Sequence, residues 1–85
     1  MLLERAYMKI TLLLRGTLRK RIDGGQVSID LPDGSTCSDA LHTAGLDWEN
    51  DPSFGFVSVN GMKVMIDSPL SDGDLLKAFS KVGGG

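Results

Sequence analysis

Eighty-five residues, 41% hydrophobic and 24% charged, make one globular domain, too short for a second core and too apolar for a disordered chain. A net charge of −2 gives no basic footprint for nucleic acid and fits, at most, docking onto a basic protein patch. A lone cysteine excludes an intramolecular disulfide, and no apolar run approaches the roughly 20 residues that span a bilayer.

The first seven residues lack the basic start and long apolar stretch of a secretory signal, so they read as an N-terminal extension of unclear role and the chain as cytoplasmic. Residues 8–81 read as the folded domain and 82–85 as a flexible C-terminal glycine tail. From Met8 to Leu14 the alternation of Met8, Ile10, Leu12 and Leu14 with Lys9, Thr11 and Leu13 predicts a strand. Gly16 to Gly25 reads as a long polar connection closed by the turn signal Asp23-Gly24-Gly25. Val27, Ile29 and Leu31 mark a second strand, stopped by Pro32-Asp33-Gly34.

At Thr36 the period changes. Thr36 and Asp39 form a capping-box pattern, and Cys37, Ala40, Leu41 and Ala44 then share one helical stripe, ended at Gly45. So short a helix is unstable alone in water and has to lie across a sheet. After a polar connection from Leu46 to Ser53, Phe54 to Val59 reads as a third strand, with Val57 and Val59 opposite Phe56 and Ser58. Asn60-Gly61 is a tight hairpin signal, because both central residues of that turn need positive φ. Met62 to Ile66 returns as a fourth strand, and Leu75 to Phe79 follows the Asp72-Gly73-Asp74 turn as a fifth. Two strands, a helix and three more strands pack most simply as an α+β domain: a mixed sheet of about five strands with one main helix across it, the β-grasp arrangement.

Several side chains invite a chemical reading and do not sustain it. His42 is the only histidine and has no cysteine cluster near it, so no metal site is expected. Cys37 falls on the apolar stripe, as a small buried hydrophobe would. Asp72 and Asp74 fit turn chemistry better than a carboxylate pair. Arg19-Lys20-Arg21 is either a solvated loop or a contact with an acidic partner patch, and Trp48 either caps the sheet edge or marks a contact; both pairs stay open. No nucleophile–base pair or phosphate loop is present, so catalytic residues are not expected.

The ordered motifs resemble the MoaD/ThiS family of ubiquitin-like sulfur carriers. Gly16-Thr17-Leu18-Arg19 is similar to the segment after that family's first strand, and Leu31-Pro32-Asp33-Gly34-Ser35-Thr36 to its strand end and helix start. Ser38-Asp39-Ala40-Leu41 resembles its first helical turn, Val59-Asn60-Gly61 its hairpin, and Leu70-Ser71-Asp72-Gly73-Asp74 the turn before its last strand. The sequence then runs into Gly83-Gly84-Gly85, without the proline that often precedes the family's glycines. The three glycines lean toward the thiamine-type carrier, and the long first loop toward the molybdopterin type.

The resemblance implies that an ATP-dependent adenylating enzyme activates the Gly85 carboxylate, which sulfur converts to a thiocarboxylate for a sulfur-accepting synthase in cofactor biosynthesis. ATP belongs to that partner, and the chain itself binds no cofactor and is not an enzyme. Gly83 and Gly84, lacking a Cβ, suit a narrow channel leading to the partner's active site. If the helix covers the side of Val57 and Val59, then Phe56, Leu75 and Phe79, with Val82, form an apolar docking patch on the other face. Two alternatives remain: a ubiquitin-like modifier conjugated through Gly85, and a β-grasp binding module with an inert tail.

Overall fold

The computed structural model describes residues 7–81. The expected tail, Val82 to Gly85, and residues 1–6 lie outside the described residues. Five strands, β1 (Tyr7–Arg15), β2 (Gln26–Pro32), β3 (Phe54–Val59), β4 (Met62–Val64) and β5 (Leu75–Ser80), form one sheet in the order β2-β1-β5-β3-β4. β1 and β5 run parallel, and the other neighbours are antiparallel. The last strand therefore lies in the middle of the sheet, between the first and the third.

The period-two pattern of β1 translates directly into burial. Met8, Ile10, Leu12 and Leu14 are all buried, and the register continues their face across the sheet. Leu12 lies opposite Val27 on one side and Leu76 on the other, while Leu14 lies opposite Ala78, which in turn faces Val57. Onto this face packs α1 (Cys37–Thr43), contributing Cys37, Ala40 and Leu41 to the core. The helix begins as its sequence dictates. The Thr36 hydroxyl accepts from the Asp39 amide at 3.2 Å, and the Asp39 carboxylate accepts from the Thr36 amide at 2.9 Å. It ends at Gly45, whose φ of +92° is costly for any residue with a Cβ.

Three expectations need correction in detail. The first strand begins at Tyr7, paired with Pro32, one residue before the expected domain start. The connection from Gly16 to Gly25 is two short 3-10 turns, and it buries Leu18 completely, which one isolated leucine among polar residues could not announce. The fourth strand stops at Val64 instead of Ile66, because the chain leaves the sheet to serve the helix. There the Ile66 and Ser68 carbonyls accept from the Ser38 and Cys37 amides at 2.8 and 3.0 Å, satisfying donors that the first helical turn leaves open.

The Asn60-Gly61 turn has both residues at positive φ, as the hairpin requires. Asp72 and Asp74 do the work of turns. Asp72 accepts from the Lys9 amide at 2.7 Å, and Asp74 accepts from the Ser71 amide and the Asn60 side chain at 2.8 and 2.9 Å. The Asn60 side chain then accepts from the Leu75 amide at 2.9 Å, so the hairpin tip pins the start of β5.

Because Leu12 and Leu41 are fully buried at the sheet–helix interface, Leu12→Ala or Leu41→Ala should each lower the unfolding free energy by about 2–5 kcal/mol in chemical denaturation.

Candidate functional site

The helix covers the Val57 side of the sheet, which leaves the other face uncovered among the described residues. In register order, its rows are Thr11 beside Leu75, then Leu13, Lys77, Ser58 and Lys63, then Arg15, Phe79 and Phe56. Phe56, Leu75 and Phe79 thus share the uncovered face and are each half-buried, but only the two phenylalanines are paired, and Leu75 lies two rows away across Lys77 and Ser58. The two phenyl rings stack at 4.7 Å between centroids with 10° between their planes. Lys63 Nζ lies 5.1 Å from the centre of the Phe56 ring, a cation–π contact that keeps the ammonium on this face. Val82, Gly83, Gly84 and Gly85, the other expected site residues, lie outside the described residues.

The charge on this face is one the sequence total conceals. None of its last three rows contains a carboxylate, and among the described residues Arg15, Lys63 and Lys77 have no acidic partner. Carboxylates instead gather at the other end of the strands. Asp30 pairs with Lys9 at 3.3 Å, and Asp72 and Asp74 sit in the turn bonded to Lys9 and Asn60. The chain is net acidic, yet the face around the stacked phenylalanines is cationic. The sequence contained this signal in the period-two set Leu75, Lys77 and Phe79, although only the register adds Arg15 and Lys63 to it.

The exit of β5 is closely confined. A Cβ on Gly55 would lie 2.9 Å from the Phe79 carbonyl oxygen, a backbone atom, and Gly16 takes a φ of +65° with the Ser80 side chain against it, so both neighbours of this exit favour glycine. Arg21, read from sequence as solvated or free for a partner, instead forks onto Asp51 with contacts of 2.7 and 3.0 Å. The guanidinium holds the Asp51 carboxyl below its ordinary value of 3.8, chiefly through these hydrogen bonds.

Other polar groups are structural. Burial pushes the Cys37 thiol up to about 11, so it is a poor nucleophile near neutral pH. The Trp48 indole donates to Ser38 Oγ at 2.9 Å and its ring packs against Phe54, which places it as a cap on the helix–sheet seam. His42, Asp47 and Glu49 form an exposed group with potential ligand atoms within 4.8 Å of one another. His42 Nε2 lies 2.6 Å from Glu49, while Asp47 accepts from Asn50 at 2.8 Å. No helix among the described residues is long and apolar enough to cross a membrane.

A five-stranded mixed sheet of this order with one helix across it is the ubiquitin-like β-grasp fold. Among solved structures the chain is similar to the HVO 2177 protein of Haloferax volcanii, at 26% identity and a TM-score of 0.70 over 93% of this chain and 88% of that one. It is also similar to a putative molybdopterin converting factor subunit 1 of Pyrococcus furiosus, at 23% identity and a TM-score of 0.72 over 88% of this chain and 99% of that one. SAMP1 of Haloferax volcanii matches at 24% identity and a TM-score of 0.69 over 91% and 99% of the two chains. No protein-family model and no curated protein matches the sequence.

The Asp51 shift makes a prediction for acid stability. A carboxyl with a lower folded than unfolded value stabilises the fold above the unfolded value and loses that contribution as pH falls through the folded one. The stability difference between the native chain and Asp51→Asn should therefore be constant above about pH 5 and shrink below about pH 4, as read from denaturation midpoints across that range.

Proposed function

We propose that this chain is a ubiquitin-like carrier, whose Gly85 carboxylate an ATP-dependent adenylating enzyme activates and whose partner docks on the uncovered sheet face. The observation that carries this reading is the cation-rimmed Phe56–Phe79 pair, beside the end of the strand that leads to the glycines. A half-buried apolar pair on an open face, with arginine and lysine around it, has the composition of an interface core and rim. The partner surface that fits it is apolar at its centre and acidic around it. The resemblance to a molybdopterin converting factor subunit, as one neighbour is described, favours sulfur transfer as the chemistry.

On this reading the domain supplies no catalytic side chain. Adenylation turns the carboxylate, a poor electrophile, into a mixed anhydride. Hydrosulfide then attacks the carbonyl carbon, AMP leaves with the bonding electron pair, the S–H proton is lost to solvent, and a thiocarboxylate remains for a synthase to accept. Residues 83–85 bring no Cβ to a narrow active-site channel, where bulkier residues would be excluded. Co-expression with an adenylating enzyme and a sulfur donor should yield, by intact mass spectrometry, a species heavier by the difference between sulfur and oxygen. Absence of that species with every adenylating enzyme of the host would refute sulfur transfer.

SAMP1 is described in another of its solved structures as a small archaeal modifier protein, which favours one second reading: conjugation of Gly85 to lysines of other proteins. Trypsin cuts after Lys81, so conjugates would carry a Val-Gly-Gly-Gly remnant on the acceptor lysine. Detecting that remnant in a tryptic digest of cell lysate supports the modifier, and finding only the thiocarboxylate supports the sulfur carrier.

Docking has its own measurement. Phe56→Ala and Phe79→Ala should each weaken adenylating-enzyme binding by about 1–3 kcal/mol in calorimetry while circular dichroism stays native. Unfolding of both variants would instead make the pair part of the core.

A further inference from the structure

Two connections converge on the end of β5. From one side the Thr17 amide donates to Ser80 Oγ at 3.2 Å, next to Gly16. From the other the Lys81 amide donates to the Ser53 carbonyl at 2.7 Å. Arg21, at the end of the first connection, reaches over to Asp51 in the second and holds it through two hydrogen bonds. Asp51 is set firmly in that second connection: its carboxylate also accepts from the Ser53 amide at 2.9 Å, and its carbonyl from the Phe54 amide at 3.0 Å. The contacts therefore close on themselves, from Thr17 to Ser80, along the chain to Lys81, across to Ser53 and Asp51, and back through Arg21.

We propose that Arg21 and Asp51 are positioning residues whose ion pair closes a ring of contacts around the end of β5, fixing where and in which direction the chain leaves the sheet at Lys81. Most surface ion pairs contribute little, because exposed side chains lose entropy and water competes. This pair differs in geometry. It is bidentate, the Asp51 side chain is only 8% exposed, and its second role is to orient the Ser53 backbone that holds Lys81. The functional consequence rests on the carrier reading: an enzyme that grips the sheet face can reach the Gly85 carboxylate efficiently only if the intervening chain departs on a set vector. Opening the ring frees Lys81 and dilutes the productive geometry, without touching the docking face.

The test has two arms. In the first, amide hydrogen exchange of the free protein is compared for the native chain, Asp51→Asn and Arg21→Gln. Exchange at Lys81 and Thr17 should become roughly tenfold faster in both variants, while Leu12 and Val57 in the core remain unchanged. Arg21→Lys, which keeps the charge and loses the fork, should fall between the two and is the variant to rely on if Asp51→Asn fails to fold. In the second arm, activation by the adenylating enzyme is followed as pyrophosphate release. Both single variants should lose kcat several-fold with KM almost unchanged, and Arg21→Lys, which leaves the Asp51 acceptor for the Ser53 amide in place, should lose less than Arg21→Gln. Unchanged exchange at Lys81 overturns the ring. Faster exchange with native kcat overturns its positioning role. If the native chain itself is never activated, the carrier reading falls with the positioning role, and the exchange arm alone upholds or overturns the ring.

Discussion

The placement of β5 between β1 and β3 is the constraint on which the rest of this structure depends. Its core-facing residues, Leu76 and Ala78, are fully buried, and each contributes to a row of side chains that runs from β1 to β3. Without that strand, β1–β2 and β3–β4 are two separate hairpins, neither of which closes a core under a seven-residue helix. Parallel pairing of β1 with β5 joins residues more than 60 positions apart in sequence, so the loop must be closed before the pairing is rewarded. The turn formed by Asn60, Ser71 and Asp74 helps by fixing where β5 starts.

One consequence is that the sheet has two unlike faces. On the inner face, Ile10, Leu12, Leu14, Leu76, Ala78 and Val57 meet the helix and are buried as a continuous layer. On the outer face the same strands present Thr11, Leu13, Arg15, Leu75, Lys77, Phe79 and Phe56, with no second layer over them among the described residues. Alternation along each strand makes such a division possible, and the register aligns it from strand to strand. A second consequence is that β5 ends in the middle of the sheet. There the loops following β1 and preceding β3 flank it, and their two glycines, 16 and 55, are the residues that let them come so close.

Charge follows the same geometry. Cations and carboxylates that cancel to a small net negative value in the sequence are segregated along the strand direction, with Asp30, Asp72 and Asp74 at one end and Arg15, Lys63 and Lys77 toward the other. Net charge, which fits at most docking onto a basic patch, therefore does not describe this uncovered face, whose described charged side chains are cationic. Net charge governs solubility and long-range steering, whereas an interface responds to the field of the residues that line it.

Most of the local structure was legible in the sequence, because each signal there acts over a few residues. The capping box at Thr36 and Asp39, the Asn60-Gly61 hairpin, the alternation of β1 and the turn role of Asp72 and Asp74 depend on backbone geometry that neighbouring residues impose by themselves. The mixed sheet under one main helix was expected only through the assembled pattern and its resemblance to a known family. Leu18 and the early end of β4 were not legible, since the burial of one leucine and the recruitment of the Ile66 and Ser68 carbonyls by the helix are set by distant parts of the chain. So the sequence alone determined the elements and their turns, and the tertiary structure decided which face stays open, what charge it carries, and that Arg21 meets Asp51 across the exit of the last strand. The division has a simple physical cause: hydrogen-bonded turns and side-chain periodicity are local, while burial, register and ion pairing between residues 30 positions apart exist only once β5 has closed the sheet.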